Sequence, residues 1–303
     1  MMNDPIIIAE EMTCRYGDLT VLDHVSFEVD RGSICAIVGR NGAGKTTTLQ
    51  SLLGLQRLHH GYAQILGMDS CESGYKMREK IGYLPESRSN YGYMRVQELL
   101  DFVSRLHRTW NYDLIEDFTD TFDYSPEQKV ENLSSGMRTQ LGFTLALAHN
   151  PEILILDEPT AGLDAVRIRQ ILQTIVDEVV SREKTVLMCS HALYQIERIA
   201  DHVIFLKDGK VTASGAVDDF HHSEKRIRVV FQVDPPDDLL NCREVVNVHK
   251  DGRQYLITVS NLTQEFIEEI KSIPHFTFEI LDMNLEEIFL EHTSYRGDEP
   301  HDV

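Results

Sequence analysis

The sequence ICAIVGRNGAGKTT, residues 34–47, joins an apolar run to a glycine-rich loop. The apolar run predicts a buried strand, and the residues after the loop predict a helix. A strand that turns through glycines such as Gly42 and Gly44 into a helix aims backbone N–H groups at one point, where they bind phosphate oxygens. Lys45 is placed to reach the β- and γ-phosphates of a nucleotide, and Thr46 to offer its hydroxyl to Mg²⁺. The stretch therefore predicts a nucleotide phosphate site.

A second apolar run, Ile153–Leu156, ends in two carboxylates, Asp157 and Glu158. It predicts a buried strand, and in open α/β sheets ligands gather at the carboxyl ends of such strands. Asp157 can there hold Mg²⁺ through water, and Glu158 can take a proton from an attacking water. Adjacent acids also begin many helices, but the companion phosphate loop favours the metal and base roles.

Three further segments add candidate site residues. The run Thr185–Cys189 predicts another buried strand, which delivers His191 to the same edge of the sheet. The segment LSSGM, residues 133–137, opens a predicted helix with serine and glycine, which is again an anion-binding geometry. Tyr16 precedes a turn, where its ring either stacks on a purine base or is a half-buried strand aromatic.

The composition limits the partners and the compartment. The chain has 303 residues, 42% of them hydrophobic, and a formal net charge of −20. A surface that acidic repels nucleic acid and anionic lipid headgroups, so we expect no nucleic acid ligand.

The five cysteines are scattered and include no C-x-x-C pair, which favours reduced thiols. No apolar run is long enough for a membrane span, and no signal peptide is evident, so we expect a cytoplasmic protein.

These motifs, in this order, resemble the ATPase subunits of ATP-binding-cassette (ABC) transporters over about Ile6 to Val217. The resemblance implies an α/β P-loop NTPase cassette in residues 1–221, with a mixed sheet core, an antiparallel β subdomain and a helical subdomain. Residues 222–303 are expected to form a small α+β domain that ends in a disordered acidic tail.

The resemblance assigns roles residue by residue. Gly39 to Thr47 match the Walker A loop, and Glu86 takes the Q-loop position. Asp157 and Glu158 match the Walker B magnesium ligand and general base, and His191 matches the switch histidine that contacts the γ-phosphate. The implied catalytic residues are Glu158, His191, Lys45 and Glu86, and the implied metal contacts are Thr46, Glu86 and Asp157. The implied nucleotide contacts are Tyr16, Gly39, Asn41, Gly42, Ala43, Gly44, Lys45, Thr46, Thr47, Ser134, Gly136 and the D-loop acid Asp164.

Two positions depart from the family's pattern. The Q-loop usually carries glutamine where this chain has Glu86, and the signature reads LSSGM where LSGGQ is typical, which changes positions 135 and 137. Glutamate can still meet a metal or water through oxygen, although it adds negative charge beside the triphosphate. Ser134 and Gly136, the expected phosphate contacts, are retained. These departures bear on how fast hydrolysis runs, not on whether ATP binds.

The resemblance also implies partners. The compact segment between Glu86 and the signature is similar to export-type subunits whose integral membrane permease is a separate polypeptide. Two such cassettes, as a homodimer or a heterodimer, are expected to pack head to tail around ATP and Mg²⁺ at the inner face of the cell membrane. Hydrolysis would reopen the pair and move the permease.

Two alternatives compete with a transporter subunit. A soluble ABC ATPase of DNA repair, chromosome structure or translation usually carries a long coiled coil or tandem cassettes, and this chain has neither. A small-molecule kinase that shares only the phosphate loop would leave the 133–137 segment and His191 unexplained.

The remaining segments yield structural predictions. Apolar spacing predicts one amphipathic helix from Val96 to Phe118. In the C-terminal part, alternating residues predict a hairpin about Asp251-Gly252, and Asn284 with Glu287 forms a capping box that opens a last helix. The C-terminal domain is either a packing module or a dimer-holding or regulatory domain, and the sequence favours neither.

Overall fold

The chain forms two compact units, residues 1–211 and 212–303. The computed structural model describes residues 5–86, 91–122 and 125–293, apart from the side chains of Tyr75 and Asp237. The division between the units lies inside a strand that follows Lys207. The boundary expected from the sequence, between residues 221 and 222, falls inside the next helix, and the expected disordered tail lies outside the described residues.

The helices and strands follow one another as an α/β chain with an all-antiparallel opening. In the first unit and up to its boundary strand they are β1 (Pro5–Tyr16), β2 (Leu19–Asp30), β3 (Ile34–Val38), α1 (Lys45–Leu52), β4 (His60–Ile65), β5 (Met68–Asp69), α2 (Gly74–Arg78), β6 (Ile81–Leu84), α3 (Val96–Ser104), α4 (Tyr112–Phe122), α5 (Ser135–Ala148), β7 (Ile153–Asp157), α6 (Ala165–Arg182), β8 (Thr185–Ser190), α7 (Leu193–Ile196), β9 (His202–Lys207) and β10 (Lys210–Ala216). In the second unit they are α8 (Val217–Ser223), β11 (Glu224–Phe231), α9 (Asp237–Leu240), β12 (Val245–Asp251), β13 (Gln254–Ser260), α10 (Gln264–Ser272), β14 (His275–Asp282) and α11 (Leu285–Thr293).

The central six-stranded sheet has the order β10-β9-β3-β8-β7-β6. Strands β3, β7 and β8 are buried along their whole length, and they pair in parallel with their neighbours in the sheet. Parallel strands are covered on both faces, which is why each of these strands contains an unbroken run of at least four apolar residues. The carboxyl ends of β3, β7 and β8 therefore meet at one edge, as the sequence predicted.

The predicted antiparallel opening is confirmed. Strands β1 and β2 pair antiparallel and lie in a four-stranded sheet of order β2-β1-β4-β5. One hydrophobic core joins this sheet to the central sheet, with Ile7 and Met12 from β1, Ile37 from β3, and Leu49 and Leu52 from α1. This core fixes α1, and with it the loop between β3 and α1, on the central sheet.

The single helix predicted from Val96 to Phe118 is wrong, because the chain forms two helices there. Helix α3 ends at Ser104, and α4 begins at Tyr112. The break is stabilised by contacts distant in sequence, since the Asn111 N–H donates to the Ala148 carbonyl at 2.7 Å. The Asn111 side chain also accepts from the Leu114 N–H at 3.1 Å and so begins the second helix.

The second unit is an α+β domain with a four-stranded sheet of order β12-β13-β11-β14. Its core packs residues of α10, such as Phe266 and Ile270, against this sheet. The predicted hairpin and the predicted capping box are both present: the Asn284 side chain accepts from the Glu287 N–H at 2.9 Å, and the Glu287 carboxylate accepts from the Asn284 N–H at 3.1 Å. Within the described ranges, every helix lacks the combination of length and apolar composition that spanning a bilayer requires.

Candidate functional site

The loop between β3 and α1 forms a cradle of backbone N–H groups. Gly44 is the residue that begins α1, and its φ of 104° lies in the left-handed region. A Cβ atom there would lie 2.8 Å from the Leu22 Cδ2 atom, so both the backbone angle and the space require glycine. Gly42 likewise has a φ of 85°. The loop thus ends at the N-terminus of α1, where the N–H groups of the first turn and the helix dipole favour an anion.

Lys45 is held inside this loop. Its side chain is buried, and the Nζ atom donates to the Gly39 carbonyl at 2.7 Å and to the Arg40 carbonyl at 3.3 Å. The same Nζ atom lies 4.0 Å from the Glu158 Oε1 atom. The ammonium group is therefore fixed between the loop and the end of β7, where its charge can meet phosphate oxygens.

Thr46 and Asp157 join the loop to the end of β7. The Thr46 hydroxyl donates to the Asp157 Oδ2 atom at 2.8 Å. Asp157 is fully buried, and burial, assisted by the nearby charges of Glu86 and Glu158, raises its pKa to about 6. The Thr46 hydrogen bond and the Lys45 charge act in the opposite direction. A hydroxyl beside a buried carboxylate is a hard oxygen donor set that suits Mg²⁺.

Glu158 meets His191 across the ends of β7 and β8. The His191 Nδ1 atom lies 2.9 Å from the Glu158 Oε1 atom. The Glu158 side chain is buried, whereas the His191 side chain is 64% exposed. Glu158 also has a φ of 51°, and its N–H donates to the Cys189 carbonyl of β8 at 3.0 Å. A non-glycine residue in this left-handed region is strained, and such strain concentrates at functional sites.

These side chains surround one cavity of about 270 Å³. The cavity is lined by Val21, Asn41, Gly42, Gly44, Lys45, Thr46, Thr47, Glu86, Asp157 and Glu158. The structure thus brings together the predicted phosphate-loop residues, both carboxylates of β7 and the exposed Glu86. Two other loop residues contribute to the frame: Ala43 is buried, and Gly39 provides the carbonyl that Lys45 binds.

Seven predicted site residues do not line this cavity: Gly39 and Ala43, which belong to its frame, and five others. His191 contacts Glu158, which lines the cavity, but does not line the cavity itself. The Tyr16 side chain is 48% exposed, and its hydroxyl donates to the Gln56 Oε1 atom at 3.1 Å. Ser134 precedes α5 and accepts the Met137 N–H at 3.1 Å. Gly136 lies in the first turn of the same helix. Asp164 precedes α6 and accepts two backbone N–H groups of that helix.

Val21 lines the cavity, although sequence reasoning did not select it. It lies on β2, outside every motif, and reaches the phosphate loop through tertiary packing: its carbonyl oxygen lies 3.0 Å from where a Cβ atom at Gly44 would be. Gln195 was missed for the same reason: its Oε1 atom accepts from the Thr160 hydroxyl at 2.7 Å, which ties α7 to the loop after Glu158. Neither residue has a spacing signal that would have found it.

Comparison with known proteins identifies the family of this chain. A family model described as ABC transporter matches residues 22–161. An uncharacterized ABC transporter ATP-binding protein of Methanocaldococcus jannaschii is 38% identical over 223 residues, which cover 71% of this chain and 79% of that protein. The chain belongs to the ABC transporter ATP-binding proteins.

Two further comparisons agree with this family. The bacitracin transport ATP-binding protein BcrA of Bacillus licheniformis is 32% identical to this ABC ATPase over 82% of the chain and 83% of that protein. A solved ATP-binding cassette, described as a dimeric post-hydrolysis state bound to ADP and Pi, has the same fold, with a TM-score of 0.64 and 21% identity over 70% of this chain and 98% of that chain. The cassette fold predicted from the sequence is confirmed, and its family membership makes the protein an ATP-binding ABC ATPase.

Proposed function

We propose that this ABC ATPase is the motor subunit of an exporter, in which two cassettes close around ATP and move a separate integral membrane permease. One observation carries the proposal. Lys45, Asp157 and Glu158 surround a single cavity, whereas Ser134 and Gly136 lie outside its lining. A second cassette would bring its own Ser134 and Gly136 to this cavity and complete it.

The triphosphate occupies the cradle in this proposal. Backbone N–H groups of the loop and the buried Lys45 ammonium hold the β- and γ-phosphates. Lys45 presently donates to the carbonyls of Gly39 and Arg40, and phosphate oxygens offer it acceptors of greater charge. Tyr16 stacks on the adenine ring, a role supported by its exposed ring at the end of β1.

Thr46 and Asp157 would hold Mg²⁺, with Glu86 as a further oxygen ligand, directly or through water. The fit of these residues is supported by the buried Asp157 carboxylate, whose raised pKa reflects the cost of keeping a negative charge out of water. A divalent cation would lower that cost. An ion held by these residues would supply positive charge beside the phosphate oxygens.

Glu158 acts as the general base and His191 as the residue that orients it. Glu158 is buried beside the cavity, so its carboxylate can accept a proton from a water held next to the γ-phosphate. The exposed His191 ring contacts the carboxylate through Nδ1 and leaves its Nε2 edge for the γ-phosphate. Through these two side chains, the presence or absence of the γ-phosphate would affect the position of the end of β8.

The partner cassette supplies the anion-binding turn of Ser134 and Gly136 and the nearby Asp164. Ser134 and Asp164 both begin helices and are exposed, so these helix ends are open to a second molecule. The solved cassette of the same fold is a dimer bound to ADP and Pi, which supports this arrangement. A homodimer and a heterodimer with a second ABC ATPase both fit a single intact set of site residues.

An exposed apolar surface supports docking to a permease. We define the aromatic surface as Tyr91 and Phe102, whose rings lie 5.7 Å apart, together with Tyr93 and Leu106, which follow them closely in the chain and are more than 60% exposed. Large exposed apolar side chains in a cluster mark an interaction site. A cytoplasmic helix of the permease packs on this surface, which holds the ATPase at the inner face of the membrane. The relative named for bacitracin transport supports the assignment to export.

Light scattering tests the closing of two cassettes around ATP. Glu158→Gln should slow hydrolysis and so accumulate an ATP-bound dimer, whose mass is twice that of the nucleotide-free protein. A matched variant, Glu158→Gln with Ser134→Arg, should bind ATP and stay monomeric, because the added side chain fills the anion-binding turn. If ATP binds and neither the homodimer nor a complex with a copurifying cassette forms, the proposed clamp is wrong.

A further inference from the structure

One loop carries two of the proposed site residues and lies between helices α5 and α7. We define it as the 158–164 loop: it leaves β7 at Glu158 and enters α6 at Asp164, whose carboxylate accepts the N–H groups of Val166 at 2.9 Å and Arg167 at 3.0 Å. Inside it, the Ala161 N–H donates to the Glu158 carbonyl at 3.2 Å. Because the loop is this short, a shift of its middle residues also shifts Glu158.

A buried hydroxyl of α5 binds the middle of this loop. Thr139 is fully buried, and its Oγ1 atom lies 3.0 Å from the Ala161 carbonyl oxygen. The same atom lies 3.0 Å from the Ser135 carbonyl oxygen, one turn back in its own helix. A threonine hydroxyl has one proton to donate, so it either joins the two elements or turns back to its helix.

The backbones of the two elements also touch. A Cβ atom at Gly136 would lie 2.9 Å from the Gly162 carbonyl oxygen, and a Cβ atom at Gly162 would lie 2.2 Å from the Ser135 Oγ atom. Gly162 has a φ of 77°, which glycine adopts without strain. The first turn of α5, which Ser134 caps, therefore lies directly on the 158–164 loop.

We propose that Thr139 is a positioning residue for Glu158. Its hydroxyl fixes the 158–164 loop on the turn of Ser134 and Gly136, so that the general base of one nucleotide site and the anion-binding turn offered to the other site move together. On the far side of the loop, the Thr160 hydroxyl donates to Gln195 of α7 at 2.7 Å, so the loop is held from both sides. This inference rests on the proposed function, because it assigns Thr139 a part in hydrolysis.

Steady-state ATP hydrolysis by a matched pair of variants tests this role. Thr139→Val keeps the shape of the side chain and removes the hydroxyl; we expect kcat to fall by about fivefold, the rate equivalent of one lost hydrogen bond, with KM within about twofold. Thr139→Ser keeps the donor and should keep the parental kcat. Thr174→Val removes a similar hydroxyl that donates to the Gln170 carbonyl within α6, and it should leave kcat unchanged.

A second pair keeps the inference testable if Thr139→Val does not fold. Gly162→Ala forces a methyl group against the Ser135 Oγ atom, whereas in the double variant Ser135→Ala with Gly162→Ala the nearest side-chain atom is the residue-135 Cβ at 3.4 Å. We expect Gly162→Ala to lower kcat and the double variant to recover part of it, a coupling that only contacting residues show.

The outcomes separate this inference from the proposed function. Parental kcat in Thr139→Val, or equal losses in Thr139→Val and Thr139→Ser, would overturn the positioning role of Thr139, and so would Gly162→Ala and its double variant with equal rates. Glu158→Gln is measured in parallel. If Glu158→Gln hydrolyses ATP at the parental rate, the proposed function itself fails, whatever the Thr139 variants do.

Discussion

The Nδ1 atom of His191 lies 2.9 Å from the Oε1 atom of Glu158, between the ends of two neighbouring parallel strands. The buried carboxylate is thus oriented by an exposed ring that solvent or a ligand can reach. A general base needs both a fixed direction and access to its proton donor. Glu158, the proposed general base, has the first through its contact with His191 and the second through the cavity that it lines.

The first prediction concerns His191. In His191→Ala, we expect kcat for ATP hydrolysis to fall by about 10²-fold, the low end of general-base effects, because the Glu158 carboxylate loses the ring that orients it. The affinity for ATP should change little, since the cradle of Lys45 and Thr46 is intact. His24→Ala is the control: His24 is also an exposed histidine beside a carboxylate, with its Nδ1 atom 2.6 Å from Asp23, but it lies on β2. Equal rates for the two variants would contradict the orienting role.

The second prediction is a pH dependence of stability caused by Asp157. Burial raises the pKa of this carboxyl from 3.8 to about 6, so the folded protein retains a proton that the unfolded chain has lost at the same pH. Its contribution to the free energy of unfolding therefore falls as pH rises from about 4 to about 6, by about 2–3 kcal/mol, and stays low above that range.

Asp157→Asn removes this dependence. Urea unfolding at pH 4.5 and pH 8 should show that the variant gains stability over the parent chiefly at pH 8, where the parent carries a buried charge. Asp18→Asn, in an exposed turn, serves as the control for a general loss of charge. A stability gap between Asp157→Asn and the parent that does not grow with pH would contradict the raised pKa.

The third prediction concerns Glu86, where the family usually has glutamine. Without metal, Glu86→Gln should bind ATP about fivefold more tightly, because one negative charge near the phosphates is removed. The gain in ATP affinity on adding Mg²⁺ should be smaller in the variant than in the parent if Glu86 contacts the metal. Titration with a fluorescent ATP analogue, with and without Mg²⁺, measures both effects. Weaker metal-free binding by Glu86→Gln would contradict the electrostatic argument.

The fourth prediction concerns the aromatic surface. Leu106→Asp places a charge in an exposed apolar cluster, and we expect it to abolish copurification with the membrane permease from detergent extracts while ATP binding persists. Val180→Asp is the matched control, because Val180 is also exposed but lies on α6, outside the aromatic surface. Retention of the permease by Leu106→Asp would exclude this surface as the docking site.

Much of the site could be predicted because its chemistry lies in short, continuous motifs. The phosphate loop needs consecutive residues, and the apolar runs before Asp157 and His191 mark buried parallel strands that end at a common edge. Because the carboxyl ends of parallel strands meet at one edge of a sheet, the sequence predicted that Glu158 and His191 would lie at the same edge. Their contact distance, and the left-handed φ of Glu158, depend on how two strands pair and have no signal in either motif.

The wrong predictions arose where contacts between residues distant in sequence determine the structure. The helix predicted from Val96 to Phe118 followed a correct apolar period, but Asn111 begins a new helix through bonds to Ala148 and Leu114, and the His107 ring stacks on that of His149 with centroids 4.1 Å apart. The apolar periodicity of a short segment carries no information about contacts between residues that lie about 40 positions apart in the chain. Val21 was missed in the same way, because only the packing of β2 against the phosphate loop brings it to the cavity.

The most direct test of the central claim is a single-turnover measurement of phosphate release from Mg²⁺-ATP by the parent and by Glu158→Gln. The account predicts equal occupancy of the nucleotide site in both proteins and a release rate that is about 10²–10⁴-fold lower in Glu158→Gln, because the general base has been replaced by an amide of the same shape. Phosphate release by Glu158→Gln at the parental rate, with the site equally occupied, would contradict it.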